Sequence, residues 1–174
     1  MTRSTAWLKY AALAALLFTS VPALSGDPTP PEVTRLFVFA GKWHGKLELV
    51  QPGQEAKSLD FELDCKAVEA AWAVTCTGVE RSADGATTEE DVLGYDPNEN
   101  LVHFFTVDNE GETHDHKGRW TSADTLSLEH RGKFVDKPFS EKLTITFRGA
   151  ELTAEFVGKA GGEEIYRGKI SAKK

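Results

Sequence analysis

FAGKWHGKLEL, residues 39–49, is the stretch on which the fold turns. From Lys42 onward its apolar residues recur every second position. Trp43, Gly45, Leu47 and Leu49 fall on one face, and His44, Lys46 and Glu48 on the other. That period belongs to a strand with one buried side. The preceding segment, TPPEVTRLFVFAG, has a helix-start pattern: Thr29 as N-cap, Pro30 at the first helical position and Glu32 three residues after the cap. It predicts one short helix that turns Val33, Leu36 and Phe37 inward and ends at Gly41.

The two-residue period continues along the chain. Leu59, Phe61, Leu63, Cys65 and Ala67 alternate with Asp60, Glu62, Asp64 and Lys66. Trp72, Val74 and Cys76 share a face; so do Leu126 and Leu128, then Leu143, Ile145 and Phe147, then Leu152, Ala154 and Phe156. Turn signals (QPGQ, SADG, YDPNEN, DNEG, SAD, RGA, KAGG) separate these runs. The reading is all-β, about ten antiparallel strands with eight as the alternative, and one N-terminal helix. A meander of this length leaves two open edges unless it closes, so an up-and-down barrel is expected, with a two-sheet sandwich as the alternative.

Residues 1–25 read as a secretory signal peptide, with Arg3 and Lys9, the apolar run Ala11 to Phe18, and small residues at the end of VPALSG. The run is well short of the roughly 20 apolar residues of a membrane span. Residues 26–31 read as a linker and 32–174 as one barrel domain. Without the leader, 18 basic residues face 27 acidic ones, a net charge of −9. Such a surface repels phosphate backbones and anionic headgroups, which excludes nucleic acid as the expected partner. Cys65 and Cys76 both lie in the exported part, and a lone pair there reads as one disulfide in a secreted or periplasmic protein. A hairpin centred on Ala70-Ala71 sets them opposite each other.

At Gly41-Lys42-Trp43 the chain resembles the calycin superfamily, the lipocalins and their relatives. The longer Gly41-x-Trp43-x-Gly45, with Gly94-Tyr95-Asp96-Pro97 and Asp108-Asn109-x-Gly111, is similar to a group of bacterial lipocalin-like barrels. The resemblance spans residues 33 to 170 and implies a cup-shaped barrel able to hold a small apolar molecule. It also implies that Trp43 closes one end, under an arginine of the last strand, for which Arg167 is the match. Fatty-acid-binding proteins share the glycine-x-tryptophan start but insert a helical pair where this chain has QPGQEAK. Haem barrels of the nitrobindin kind share the opening too, yet their haem-ligating histidine is on a late strand, and none follows His130 here.

Pocket walls are expected from Trp43, Leu47, Phe61, Leu63, Trp72, Phe105, Leu128, Phe147 and Phe156, and polar contacts from His103 or His130. His44 is expected on the wet side. His114 and His116 in THDHK share a face at a spacing that suits zinc or copper, but a polar outer face is the expectation for them. A three-residue loop with a left-handed Gly111 would place His116 opposite Phe104; a four-residue loop would place it opposite His103. No nucleophile elbow, phosphate loop or zinc-helix motif occurs. The chain therefore reads as an exported container for a small hydrophobic or amphipathic molecule. No cofactor is expected, with haem and a divalent metal as the alternatives. The competing functions are an envelope protein-interaction or inhibitory module using the acidic surface, and a hydrolase or isomerase at the barrel mouth.

Overall fold

The computed structural model describes residues 29–68, 72–83 and 85–174. The expected signal peptide, the first half of the linker and the Ala70-Ala71 turn lie outside these residues. A short helix α1 (Pro31–Leu36) and a 3-10 turn (Phe37–Phe39) lead into ten strands. They are β1 (Gly41–Val50), β2 (Lys57–Val68), β3 (Ala73–Ser82), β4 (Gly85–Asp96) and β5 (Leu101–Asp108), then β6 (Thr113–Trp120), β7 (Thr125–Phe134), β8 (Lys137–Arg148), β9 (Glu151–Ala160) and β10 (Glu163–Lys173). Each pairs antiparallel with the next, and β1 also pairs with β10, Leu47 opposite Ile170, which closes the barrel. The ten-stranded expectation holds, and the sandwich is excluded because closure leaves no free edge.

The helix begins one residue later than expected. Pro30 occupies the N-cap with no side-chain cap, and Pro31 takes the first helical position, so Thr29 does not cap it. Either proline suits that position because its missing N–H would have no partner there. Val33 and Leu36 are buried, whereas Phe37 is only half-buried and Phe39 takes the deeper place.

Trp43 is fully buried among the residues closing this end. Its indole Nε1 donates to the Phe39 carbonyl at 2.7 Å, and its ring lies 5.9 Å from that of Phe147. Arg167 is not its partner. It pairs opposite Val50, at the far end of β1 from Trp43, and its exposed guanidinium bonds Glu164 at 2.7 Å. The cation over the indole is Lys174, whose Nζ is 4.6 Å from the ring centroid and donates to the Val38 carbonyl at 3.0 Å.

Cys65 and Cys76 are cross-strand partners on β2 and β3, joined at 2.07 Å. The resemblance motifs make turns: Asp96 Oδ1 accepts from Asn98 N at 2.7 Å, and Asp108 Oδ1 accepts from Glu110 N and Glu112 N at 2.9 and 2.8 Å. Gly111, at φ 89°, completes the second of these. The resulting register sets Phe104 opposite His116.

Between β6 and β7 the ladder runs only from Trp120–Leu126 to Lys117–Glu129. Beyond it, the outer part of β7 continues with β8 alone as far as Phe134–Lys137. The barrel wall loosens there, at the end away from Trp43, beside His114 and His130.

Candidate functional site

Ten strands with one inward face each enclose a cavity of about 170 Å³. Its apolar wall includes Phe39, Phe61, Leu63, Leu143, Ile145 and Phe156. Its polar wall is made of Glu80, Glu89, Asp91, Thr106, His114, His116 and Glu141. Each polar residue sits in phase with apolar ones: Glu141 precedes Leu143, Ile145 and Phe147 at two-residue steps, and Asp91 precedes Leu93. The pleat that buries those neighbours carries the acids inward as well.

At the centre of the polar wall, His116 Nε2 lies 2.9 Å from Glu141 Oε1. His116 is 4% exposed and Glu141 8%. The Tyr166 hydroxyl donates to the other carboxylate oxygen, Oε2. The register explains how: Glu141 pairs with Gly158, and Gly158 with Tyr166. Gly158 has no side chain, so the tyrosine ring lies across it; a Cβ there would come within 2.3 Å of the ring. Across the cavity, Thr106 Oγ1 donates to Asp91 Oδ1 at 2.8 Å. His114 stacks on His130 at 4.9 Å between ring centroids, and His130 Nδ1 lies 3.1 Å from the Asp115 carbonyl in the loosened seam. A surface hollow of about 390 Å³, lined by His114, His130, Phe134, Phe139 and Tyr166, meets the interior at His114.

Burial dominates the electrostatics. It pushes Asp91 up to about 7, against the pull of the Thr106 hydrogen bond. Glu89 is raised well above the usual carboxylate range by burial and by the neighbouring Asp91 charge, and Glu80 is raised by burial. Glu141 behaves differently. Burial pushes its carboxyl up, but the hydrogen bonds from His116 and Tyr166, with the nearby histidine charges, outweigh that and hold it low. Burial lowers His114, partly opposed by Glu141, and burial with the Glu141 charge raises Tyr166. One ionised carboxylate thus sits among carboxyls that resist ionisation.

Of the residues expected to line the interior, Phe61, Leu63 and Phe156 do so. Trp43, Leu47, Leu128 and Phe147 are buried in the packed core outside the cavity wall. Three expectations are corrected. Trp72 is a turn residue before β3 with φ 53° and does not line the cavity, because the strand starts one residue later. Phe105 points outward and is 42% exposed, and Phe104 takes the inward position. His103 faces out with Phe105 and pairs with Glu99 and Asp115 at 3.3 and 3.4 Å. The polar outer face expected for His114 and His116 is likewise wrong; both face the interior. His130 packs against them by its ring, and His44 is exposed.

The sequence reading missed Glu80, Glu89, Asp91, Thr106, Glu141 and Tyr166. Their signal was phase, an acid or tyrosine keeping step with an apolar face, as in Phe139-x-Glu141-x-Leu143. Among the described residues, two sets bring three donor atoms within 4.8 Å of one another: His114, His116 and Glu141 inside, and Asp96, Glu99 and His103 at the β4–β5 turn.

No family model and no curated protein matches the chain. Among solved structures, it is similar to the crystal structure of Rv2717c from M. tuberculosis, with a TM-score of 0.65 and 18% identity over 83% of this chain and 98% of that one. It is also similar to the S-type phycobiliprotein lyase CPES from Guillardia theta, with a TM-score of 0.56 and 12% identity over 82% of this chain and 91% of that one. At such identities the likeness carries the fold and no more: the chain is a closed ten-stranded antiparallel barrel.

Proposed function

We propose that this protein is an exported barrel that binds a small amphipathic molecule in its interior. The apolar body lies on Phe39, Phe61, Ile145 and Phe156, and a cationic or hydrogen-bond-donating head meets the acid-and-histidine wall. The observation behind this is one cavity with aromatic and aliphatic residues on one side and four carboxyl groups on the other. A donor or cationic head satisfies acceptor-rich walls, whereas an anionic head would face Glu141. The volume of about 170 Å³ lies below the roughly 300–1,000 Å³ of pockets for drug-sized molecules, which supports a small ligand. Export is supported by the leader-like residues 1–25 and by the Cys65–Cys76 pair. The name of the lyase neighbour belongs to that protein; the reading for this chain rests on its cavity.

The test is native mass spectrometry of the exported protein, with the neutral probe N-phenyl-1-naphthylamine titrated in parallel. Retained organic mass that is lost in Ala154→Trp, which fills the cavity, is the expected result. A chain of bare polypeptide mass that takes up no probe would overturn the reading.

A second reading, a hydrolase or isomerase, draws on the His116–Glu141–Tyr166 hydrogen bonds at the cavity wall. Its test is turnover of small esters and of enolisable ketones, with loss in Glu141→Gln. The acidic-surface module has less support, since outer-face acids are paired across strands with bases, as in Lys46–Asp60, Arg81–Glu62 and Lys173–Glu151.

A further inference from the structure

The polar wall holds more donor chemistry than an organic head group requires. His114 and His116 project from alternate positions of β6 to one side, and Glu141 reaches them from β8 across the loosened seam. Their donor atoms already lie within 4.8 Å of one another. Around a tetrahedral zinc ion neighbouring ligand atoms are roughly 3.3 Å apart, by its bond lengths of about 2.0–2.1 Å. His116 Nε2 and Glu141 Oε1, at 2.9 Å, are close to that spacing, so the main adjustment is a swing of the His114 ring toward the pair. We propose that His114, His116 and Glu141 bind a divalent transition-metal ion of the zinc type inside the barrel, leaving a fourth position open to the cavity.

Three observations support the site. Two imidazoles and one carboxylate are the donor set of open, three-ligand zinc centres. The carboxylate is already oriented, since the Tyr166 hydroxyl holds Oε2 and leaves Oε1 to the histidines. His116 is itself fixed in place, 4% exposed, with Nε2 directed at Glu141. His114 borders both the cavity and the outer hollow, which supplies an entry path.

The site shares the cavity of the ligand reading but does not depend on an organic ligand, and the two fail separately. The experiment is equilibrium dialysis of the chelator-stripped full chain against zinc chloride, with elemental analysis, in the wild type, His114→Ala, Tyr166→Phe and His103→Ala, each checked for native near-ultraviolet circular dichroism. One zinc per chain is expected in the wild type and in His103→Ala. Stoichiometric zinc should be lost in His114→Ala, and the affinity of Tyr166→Phe should be lower by about tenfold. His114 is only partly buried, so its truncation is expected to leave the fold intact. The proposal is overturned if the wild type takes up no zinc, or if zinc is lost with His103 and kept without His114, which would place it on the outer turn.

Discussion

The imidazole of His116 and the carboxylate of Glu141, on strands that do not pair with each other, meet at 2.9 Å inside the barrel, both almost wholly removed from water. With Tyr166 they form a trio in which Glu141 accepts twice. Glu141→Ala would leave the imidazole and the phenol without their acceptor. We expect a loss of about 3 kcal/mol in urea unfolding. The triple change His116→Leu, Glu141→Leu, Tyr166→Phe removes all the unmet polar groups together. It should be less destabilised than the single variant, because a buried polar group costs most when its partner alone is gone. A triple variant weaker than Glu141→Ala would show that the trio has a structural duty.

Asp91 makes stability depend on pH. Its carboxyl titrates at about 7 in the fold against 3.8 for the free side chain. Between those values the native state holds a proton that the unfolded chain releases, so stability falls as pH rises through this window and levels off above it. The gap of about three units corresponds to at most about 4 kcal/mol. Glu80 and Glu89, also raised, act with the same sign. Glu141 acts with the opposite sign: its contribution is present above the ordinary carboxylate value and is lost as acid titrates its lowered one. Asp91→Asn keeps an oxygen for Thr106 and should raise the melting midpoint at pH 8 with little change at pH 4. Equal shifts at both pH values would contradict this account.

Trp43 and Lys174 should matter where Arg167 does not. Trp43→Phe removes the N–H that satisfies the Phe39 carbonyl and should cost about 2 kcal/mol, from the lost bond and the lost bulk. Lys174→Ala should cost about 1 kcal/mol or less through the cation–π contact. Thermal melts of Arg167→Ala should match the wild type within error, its ion pair with Glu164 being at the surface.

The β7–β8 turn holds a local strain that can be relieved. Val135, 80% exposed, sits at φ 47° ahead of Asp136 at φ 64° in a two-residue turn. A β-branched residue is poorly suited to that region, whereas asparagine adopts it readily. Val135→Asn is therefore expected to stabilise the protein by about 1 kcal/mol, read as a higher chemical-denaturation midpoint at an unchanged slope.

Gly158 connects packing to the site. Gly158→Ala would force the Tyr166 ring away from a position now 2.3 Å from the added carbon, at about 1–3 kcal/mol. The hydroxyl should move off Glu141 at the same time. A rise in tyrosine fluorescence in a background with Trp43, Trp72 and Trp120 replaced by phenylalanine is the expected signature; unchanged stability and emission would argue against the close approach.

The strand count, the single helix and the cysteine pairing were legible in the sequence because each is a local or near-local property. An alternating apolar face needs only the pleat to be read, and Cys65 and Cys76 are partners across adjacent strands. Phase also marked Trp43 and Leu47 as inward. It left β5 undecided, since LVHFFTV is apolar on both faces, and only the register from the Asp108–Gly111 turn turned Phe104 in and His103 out. The resemblance points to Arg167 as the cation on Trp43, but the β1–β10 register carries Arg167 to the far end, and Lys174 lies over the ring instead. The site belongs wholly to the tertiary structure. His116 and Glu141 are 25 residues apart on strands separated by β7, and their meeting depends on closure, on where the β6–β7 ladder stops and on the bare backbone of Gly158. The sequence alone determined that there would be about ten alternating strands; closing them into a barrel decided which acids and histidines share its interior.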